Sequence, residues 1–369
     1  MLLTPVDNSE IVDALDGALD GGPAVLPLSS SDPRGDDLRK AMAPAEPTLP
    51  GTAVVVATSG STGTPKGVEL STGALTASAA ATHARLGGAG QWLLTLPAHH
   101  IAGVQVIVRS LLAGTRPALR GAQTFADAVA SMTGRRRYTS LVPTQLSRIL
   151  DDPVALDALR SFDAVLLGGA ATPAPLLDRA RAAGVAVRTT YGMSETAGGC
   201  VYDGMPLDGV RVRVVDGVIE LAGPVLASGY RLDPAGTAAA FAGGWFRTTD
   251  LGMLDDGTLS VLGRADFMIN TGGVKVAPAA VEAVLAAQPG VAEVCVVDLP
   301  DEEWGQLVAA AVVPTDPARP PAAEALRAAV RARLGGPATP KVLRFAGALP
   351  SHGPGKVNRI EVRDMLRGT

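Results

Sequence analysis

The chain has 369 residues, 47% hydrophobic and 18% charged, with a mean hydropathy of +0.24 and a formal net charge of −4. This excludes a disordered chain and a charge-patterned coiled coil, and argues against a nucleic-acid surface. No stretch approaches the ~20 uninterrupted apolar residues of a membrane span, the N-terminus MLLTPVDNSE lacks a basic-then-apolar leader pattern, and Cys200 and Cys295 are too few for a disulfide framework or thiolate metal site, so the expectation is a cytoplasmic enzyme of two to three domains.

Taken in chain order, Ala53–Ala57 (AVVVA) reads as a buried strand and Ser71–Leu86 as an Ala-rich helix capped by Ser71 or Thr72. Trp92–Leu96 is strand-like and Ile101–Leu112 helix-like. Thr139–Val142 reads as a short strand, followed by a helix that Pro143 starts. Ala164–Leu167 is an apolar strand running into Gly168-Gly169. Pro173–Ala183 reads as a helix and Val185–Thr190 as a strand. Such alternation predicts parallel α/β layers. Near Gly209 the texture changes: Val210–Val215 and Val218–Leu221 flank Asp216-Gly217, a hairpin signal, and Thr258–Leu262 is another strand. From Pro278 a small α+β unit follows, with helices at Pro278–Ala287 and Ala322–Leu334 and strands at Val291–Val297, Leu307–Val313 and Val342–Phe345. The fold class expected is α/β: a large N-terminal α/β region with a β-rich subdomain, then a small mobile α+β domain. The boundary falls at Gly263–Phe267.

The strongest local signal is Thr58-Ser59-Gly60-Ser61-Thr62-Gly63-Thr64-Pro65-Lys66-Gly67. Its glycines let backbone amides approach an anion, its hydroxyls add donors and Lys66 adds charge, a chemistry suited to polyphosphate. The Gly-x4-Gly-Lys-Ser/Thr spacing of the P-loop is absent. The chain has five lysines against 27 arginines, so either a lysine marks a place where a compact ammonium is needed rather than a planar fork, or the five simply fell where they fell.

TSGSTGTPKGVELS resembles the phosphate-binding signature of the adenylate-forming superfamily of acyl-CoA synthetases, adenylation domains and luciferases. Four further motifs occur in that family's order: Tyr191-Gly192-Met193-Ser194-Glu195-Thr196, Thr249-Asp250-Leu251-Gly252, Gly263-Arg264-Ala265-Asp266 leading to Thr271-Gly272-Gly273-Val274-Lys275, and Gly355-Lys356-Val357-Asn358-Arg359. The resemblance covers residues 58 to 359. It implies an N-terminal ATP- and acyl-binding domain over 1–265 and a C-terminal mobile catalytic domain over 266–369, hinged near Asp266. Tyr191 would stack adenine, Asp250 would accept from the ribose hydroxyls and Arg264 would reach the ribose. Glu195 would hold Mg²⁺ beside the phosphates. Gly168, Gly169, Ala170, Gly192 and Thr196 would line the AMP site, and Gly192 and Met193 the acyl site as well. Lys356 would be the catalytic cation of adenylation, and Gly272, Gly273 and Lys275 would border the CoA channel. ATP, Mg²⁺ and CoA are the implied cofactor and co-substrates.

Leu96-Pro97-Ala98-His99-His100-Ile101-Ala102-Gly103 resembles the family's acyl-pocket segment, with His100 in the key, catalytic position. Arg109 is a lone charge in the apolar run Ile101–Leu112. Burying a guanidinium there is costly unless it is paired, so Arg109 either lies on an exposed helix face or partners a second carboxylate of the substrate. The His100-to-Arg109 spacing resembles that of o-succinylbenzoate–CoA ligases of menaquinone biosynthesis. Only 57 residues precede the phosphate loop, a short N-terminus that resembles compact actinobacterial forms. A CoA ligase of other acyl specificity and a stand-alone adenylation enzyme loading a carrier protein are the alternatives; a non-catalytic nucleotide-binding relative would be expected to have lost Lys356 or Glu195, and both are present. The partners expected are a small carboxylate, ATP and CoA, with no nucleic acid or membrane insertion. A homodimer is left open.

Overall fold

The computed structural model describes residues 2–59, 65–121, 123–350 and 357–368. Residues 60–64 of the glycine-rich loop and Lys356 lie outside the described residues, as does the side chain of Ser59.

Four sheets carry the chain. The first has the order Leu3–Asp7, Ala24–Leu28, Thr52–Ser59, Pro65–Ser71, Gly229–Tyr230. Its first three strands are parallel and the last two antiparallel. The second runs Met205–Pro206, Gly198–Tyr202, Val187–Met193, Ala164–Leu167, Arg137–Leu141, Gln91–Leu94, Ala118–Leu119, parallel from Val187–Met193 to its far edge. The third is antiparallel and includes the hairpin expected at Asp216-Gly217, between Arg211–Val215 and Val218–Ala222. The fourth gathers Val274–Val276, Ile269–Thr271, Gly305–Pro314, Val291–Asp301 and Val342–Phe345.

Two expectations need correction. The layers are mixed, not simply parallel, because Pro65–Ser71 turns back antiparallel on Thr52–Ser59, with Lys66 opposite Thr58. The glycine-rich segment therefore joins the arms of a hairpin, and its two ends are strand rather than loop. The strand expected to stop at Thr190 runs on as Val187–Met193, since Gly198–Tyr202 folds back and pairs with it.

Helix Ile101–Leu112 is the element that positions the acyl side of the site. Val104, Ile107 and Val108 pack on the first sheet with Val54, Val56 and Leu70, while Val106 packs on Trp92, Tyr138 and Leu166 of the second. A helix apolar on all sides is buried on all sides. Each of these side chains contributes ~1.5–3 kcal/mol relative to exposure. Arg109 is carried into this interior at 3% exposure, which removes the exposed-face reading. Helix Thr72–Arg85 packs beside it, with the Ser71 hydroxyl accepting from the Ala74 amide as N-cap.

Among the described residues, buried apolar clusters do not cross the junction near residue 265. Two of them draw only on residues from Ile269 onward, and the others only on residues up to Leu259. No helix among the described residues is long and apolar enough to cross a membrane.

Candidate active site

The site begins at the open end of the Thr52–Ser59 / Pro65–Ser71 hairpin. The Thr58 hydroxyl donates to the Lys66 carbonyl (3.2 Å), closing the hairpin below the glycine-rich segment. The Lys66 ammonium lies 5.0 Å from the ring centroid of Tyr230, a cation–π contact. Tyr230 comes from the strand paired with Pro65–Ser71, its backbone opposite Val68. Its hydroxyl donates to Glu195 Oε1 (3.0 Å). Burial and the Glu195 carboxylate push the phenol well above its usual value, so it stays a donor.

Glu195 sits in a 3₁₀ turn, Ser194–Thr196, that follows Tyr191-Gly192-Met193 at the end of the Val187–Met193 strand. Gly192 permits this approach: a Cβ there would lie 2.2 Å from the Gly198 carbonyl oxygen of the returning strand. Thr196 is fully buried. Its hydroxyl accepts from the Met193 amide (3.0 Å) and donates to the Gly198 carbonyl (2.8 Å), so what it supplies is the shape of the turn.

Tyr191 donates from its hydroxyl to Asp250 Oδ2 (2.7 Å). Burial pushes both groups up, the Asp250 shift being opposed by this hydrogen bond and by the Arg264 charge. Arg264 lies opposite Asp250 across paired strands. Its guanidinium makes a fork to Asp266, with Nε to Oδ1 at 2.8 Å and Nη2 to Oδ2 at 2.6 Å. That pairing raises its pKa, and the charges of Asp250 and Glu195 add to the effect. Lys66, Tyr230, Glu195, Arg264, Asp250 and Tyr191 thus form one electrostatically connected cluster. Gly168, Gly169 and Ala170 follow the carboxyl end of the Ala164–Leu167 strand, where ligands of such sheets bind.

Among the described residues no group of three or more His, Cys, Asp or Glu can hold a metal. Half-buried Glu195 fits Mg²⁺ as one hard ligand, the rest of an octahedral shell being left to phosphates and water, as is usual for this ion.

On the acyl side, His100 is the N-cap of helix Ile101–Leu112 and packs against His99, with ring centroids 4.3 Å apart. Burial pushes the His99 imidazole down, and its Nδ1 has no partner. Arg109 lies over the Trp92 ring (4.9 Å) and donates from Nη2 to the Tyr202 hydroxyl (3.3 Å). Its buried Nε has no partner, and no carboxylate lies within ion-pair distance among the described residues. One turn earlier, Gln105 Oε1 is likewise buried without a partner. Trp92 donates to His83 Nε2 (3.2 Å) and Tyr202 shares a hydrogen bond with Thr82 (3.0 Å), so Arg109 rests on a fixed polar frame.

Gly272 and Gly273 form the turn between Ile269–Thr271 and Val274–Val276, both at positive φ, with Lys275 exposed. Among the described residues no hydrogen bond or ion pair links them to the cluster. The sequence reading missed Tyr230, Trp92, Tyr202 and His83. Tyr230 stands between Gly229 and Arg231, outside the motifs that the sequence singles out, and the other three read as ordinary core.

Known proteins resemble this chain in sequence and in fold. The AMP-binding enzyme model matches residues 7–230, and the AMP-binding enzyme C-terminal domain model matches residues 280–356. The "Probable 2-succinylbenzoate--CoA ligase" of Mycobacterium tuberculosis is 49% identical over 317 residues, covering 83% of this chain and 82% of that one. The 2-succinylbenzoate–CoA ligase of Geobacillus kaustophilus is 34% identical over 350 residues, covering 86% and 70%. Among solved structures, o-succinylbenzoate CoA synthetase from Bacillus subtilis with its acyl-adenylate intermediate superimposes with a TM-score of 0.75 at 28% identity, covering 97% of this chain and 81% of that one. An amide bond synthetase from Marinactinospora thermotolerans gives a TM-score of 0.78 at 29% identity, with 99% and 80% covered. The ordered motifs, the cluster they build and the match over both segments have one reading: the chain belongs to the AMP-binding enzyme family.

Proposed function

We propose that this protein is an AMP-forming acid–thiol ligase that converts o-succinylbenzoate to o-succinylbenzoyl-CoA. In the first step a substrate carboxylate oxygen attacks the α-phosphorus of ATP, the bond to the bridging oxygen breaks, and pyrophosphate leaves with its electron pair. In the second step the CoA sulfur bonds to the acyl carbon and AMP departs, the thiol proton passing to solvent or a base. Tyr191 and Asp250 hold the nucleoside end, the hydroxyl-held tyrosine presenting a fixed face to adenine. Lys66 and the glycine-rich segment hold the phosphates. Glu195 would hold Mg²⁺, which when bound offsets the negative charge gathered there. His100 and Met193 border the acyl group.

The observation that carries the substrate assignment is Arg109: a buried guanidinium with, among the described residues, no partner for its Nε and no carboxylate of its own. A dicarboxylate supplies that missing partner with the group that is not activated. The 49% identity to the mycobacterial protein supports the same assignment.

We also read residues 1–265 as the nucleotide and acyl domain and 266–369 as a domain that turns about Asp266, bringing Lys356 for adenylation and Gly272, Gly273 and Lys275 for CoA. That no buried cluster among the described residues spans the junction favours this. Incubation with o-succinylbenzoate, ATP, Mg²⁺ and CoA should yield AMP and pyrophosphate; ADP and phosphate would overturn the reading. Lys356→Ala should lower adenylation by ~10²–10³-fold, as loss of one stabilising donor does, while sparing thioester formation from pre-made acyl-adenylate. Equal loss in both half-reactions would remove the alternation.

A further inference from the structure

We propose that Tyr230 is a positioning residue that couples the phosphate-loop cation to the metal-binding carboxylate, so that nucleotide and Mg²⁺ reinforce each other's binding through one side chain. The inference rests on the reading of Lys66 as a phosphate contact and Glu195 as a metal ligand. One ring does two jobs. Its face lies 5.0 Å from the Lys66 ammonium, and its hydroxyl donates to Glu195 Oε1 at 3.0 Å. The ring is held from behind: Phe241 meets it edge-on with centroids 5.7 Å apart, and the Tyr230 amide donates to the Thr237 hydroxyl (2.8 Å). The next residue, Arg231, is locked by its ion pair with buried Glu69. Tyr230 is thus a rigid strut between two groups from distant parts of the sequence.

The coupling has a direct physical basis. The hydroxyl binds one carboxylate oxygen and leaves Glu195 Oε2 aimed by that constraint, which suits an ion demanding near-ideal octahedral geometry. The π face fixes where the Lys66 charge sits, and so where a phosphate neutralised by both Lys66 and the ion must lie. Removing the hydroxyl alone should therefore weaken the metal-dependent part of nucleotide binding. Removing the ring should weaken both parts.

The test is equilibrium binding of α,β-methylene-ATP to the full chain by titration calorimetry, with excess Mg²⁺ and separately with EDTA. Tyr230→Phe should leave the dissociation constant in EDTA within about twofold while the gain produced by Mg²⁺ shrinks by about 10-fold or more, the lower end for a lost hydrogen bond to a charged group. Tyr230→Leu should in addition weaken binding in EDTA by roughly 2- to 5-fold, the size of an exposed cation–π contact. Asp250→Asn, which acts on the nucleoside end, should shift both constants together. A Tyr230→Phe protein with an unaltered Mg²⁺ gain, or with equal losses in both buffers, would overturn the coupling and leave Tyr230 a structural residue. Failure of the unmodified protein to bind the analogue in either buffer would instead overturn the nucleotide-site reading on which the coupling stands.

Discussion

Two buried arginines show how differently one side chain is used in this molecule. Arg231, 1% exposed at its side chain, donates to Glu69 Oε1 (3.1 Å) and to the carbonyls of Met42, Ala43, Glu46 and Pro47. Glu69 in turn accepts from the Leu49 amide (2.7 Å) and the Thr52 hydroxyl (2.9 Å). Each buried charge there has its partner, and the pair ties the strand bearing Lys66 to the strand bearing Tyr230. Arg109 is just as deep but has one hydroxyl at 3.3 Å, the face of Trp92 and an Nε with no partner. Burial lowers its pKa, and no carboxylate restores it. A buried charge left so poorly satisfied is unfavourable for folding. Arg231 holds the fold together; Arg109, on the function proposed above, is completed by the substrate.

The sharpest way to break this contrast is to remove each guanidinium. Arg231→Met should cost about 3–5 kcal/mol of stability, because Glu69 and four carbonyls lose their donor while remaining buried. Urea denaturation measures it, and a loss below about 1 kcal/mol would mean that the pair contributes little. Arg109→Leu should leave stability unchanged or raise it, since Leu suits both the helix and its apolar surroundings. Its effect should fall on substrate choice: kcat/KM for o-succinylbenzoate should drop by roughly 10- to 150-fold, the loss of one charge-assisted hydrogen bond. A monocarboxylate analogue should lose little or improve. An unchanged ratio between the two acids would show that Arg109 does not read the second carboxylate.

A smaller effect should come from the frame around Arg109. Tyr202→Phe removes its one hydroxyl partner, and KM for the dicarboxylate should rise by roughly 2- to 10-fold with kcat nearly constant, since the lost bond acts on the substrate only through Arg109. The least change is expected in the pH dependence of stability. Burial, with the Arg109 charge beside it, pushes His83 down from 6.5 to about 4. The unfolded chain therefore binds a proton between those values that the folded chain refuses. The contribution of neutral His83 is complete above pH 6.5 and is lost as pH falls toward 4. His83→Gln, which keeps an acceptor for Trp92, should flatten the melting temperature against pH over that window. Parallel curves for both proteins would remove His83 from the acid sensitivity.

Much of the nucleotide end was legible in the sequence, because its chemistry is local. Glycines, hydroxyls and a lysine in one ten-residue stretch announce anion chemistry without knowledge of what packs nearby, whereas Tyr191 and Glu195 take their expected roles only from the family resemblance. Helix Ile101–Leu112 and strand Ala164–Leu167 were also bounded correctly, since their apolar runs end at clear breaks. The strand Pro65–Ser71 was not, because Pro-Lys-Gly opens it and the glycine-rich composition overrides the short alternation of Val68 and Leu70.

The sequence by itself determined which residues are chemically able to serve the reaction, and their order along the chain. The tertiary structure decided what each one faces. Periodicity could not say whether Arg109 points to water or into the interior, because a helix apolar on every side has no exposed face to identify; only its placement between two sheets buries the charge. Nor could it find Tyr230, whose role exists only because Gly229–Tyr230 adds to the edge of the first sheet and brings a phenol between Lys66 and Glu195, residues 129 positions apart in the chain. Hydrogen bonds and cation–π contacts act over a few ångströms, and only folding brings residues so distant in sequence within that range.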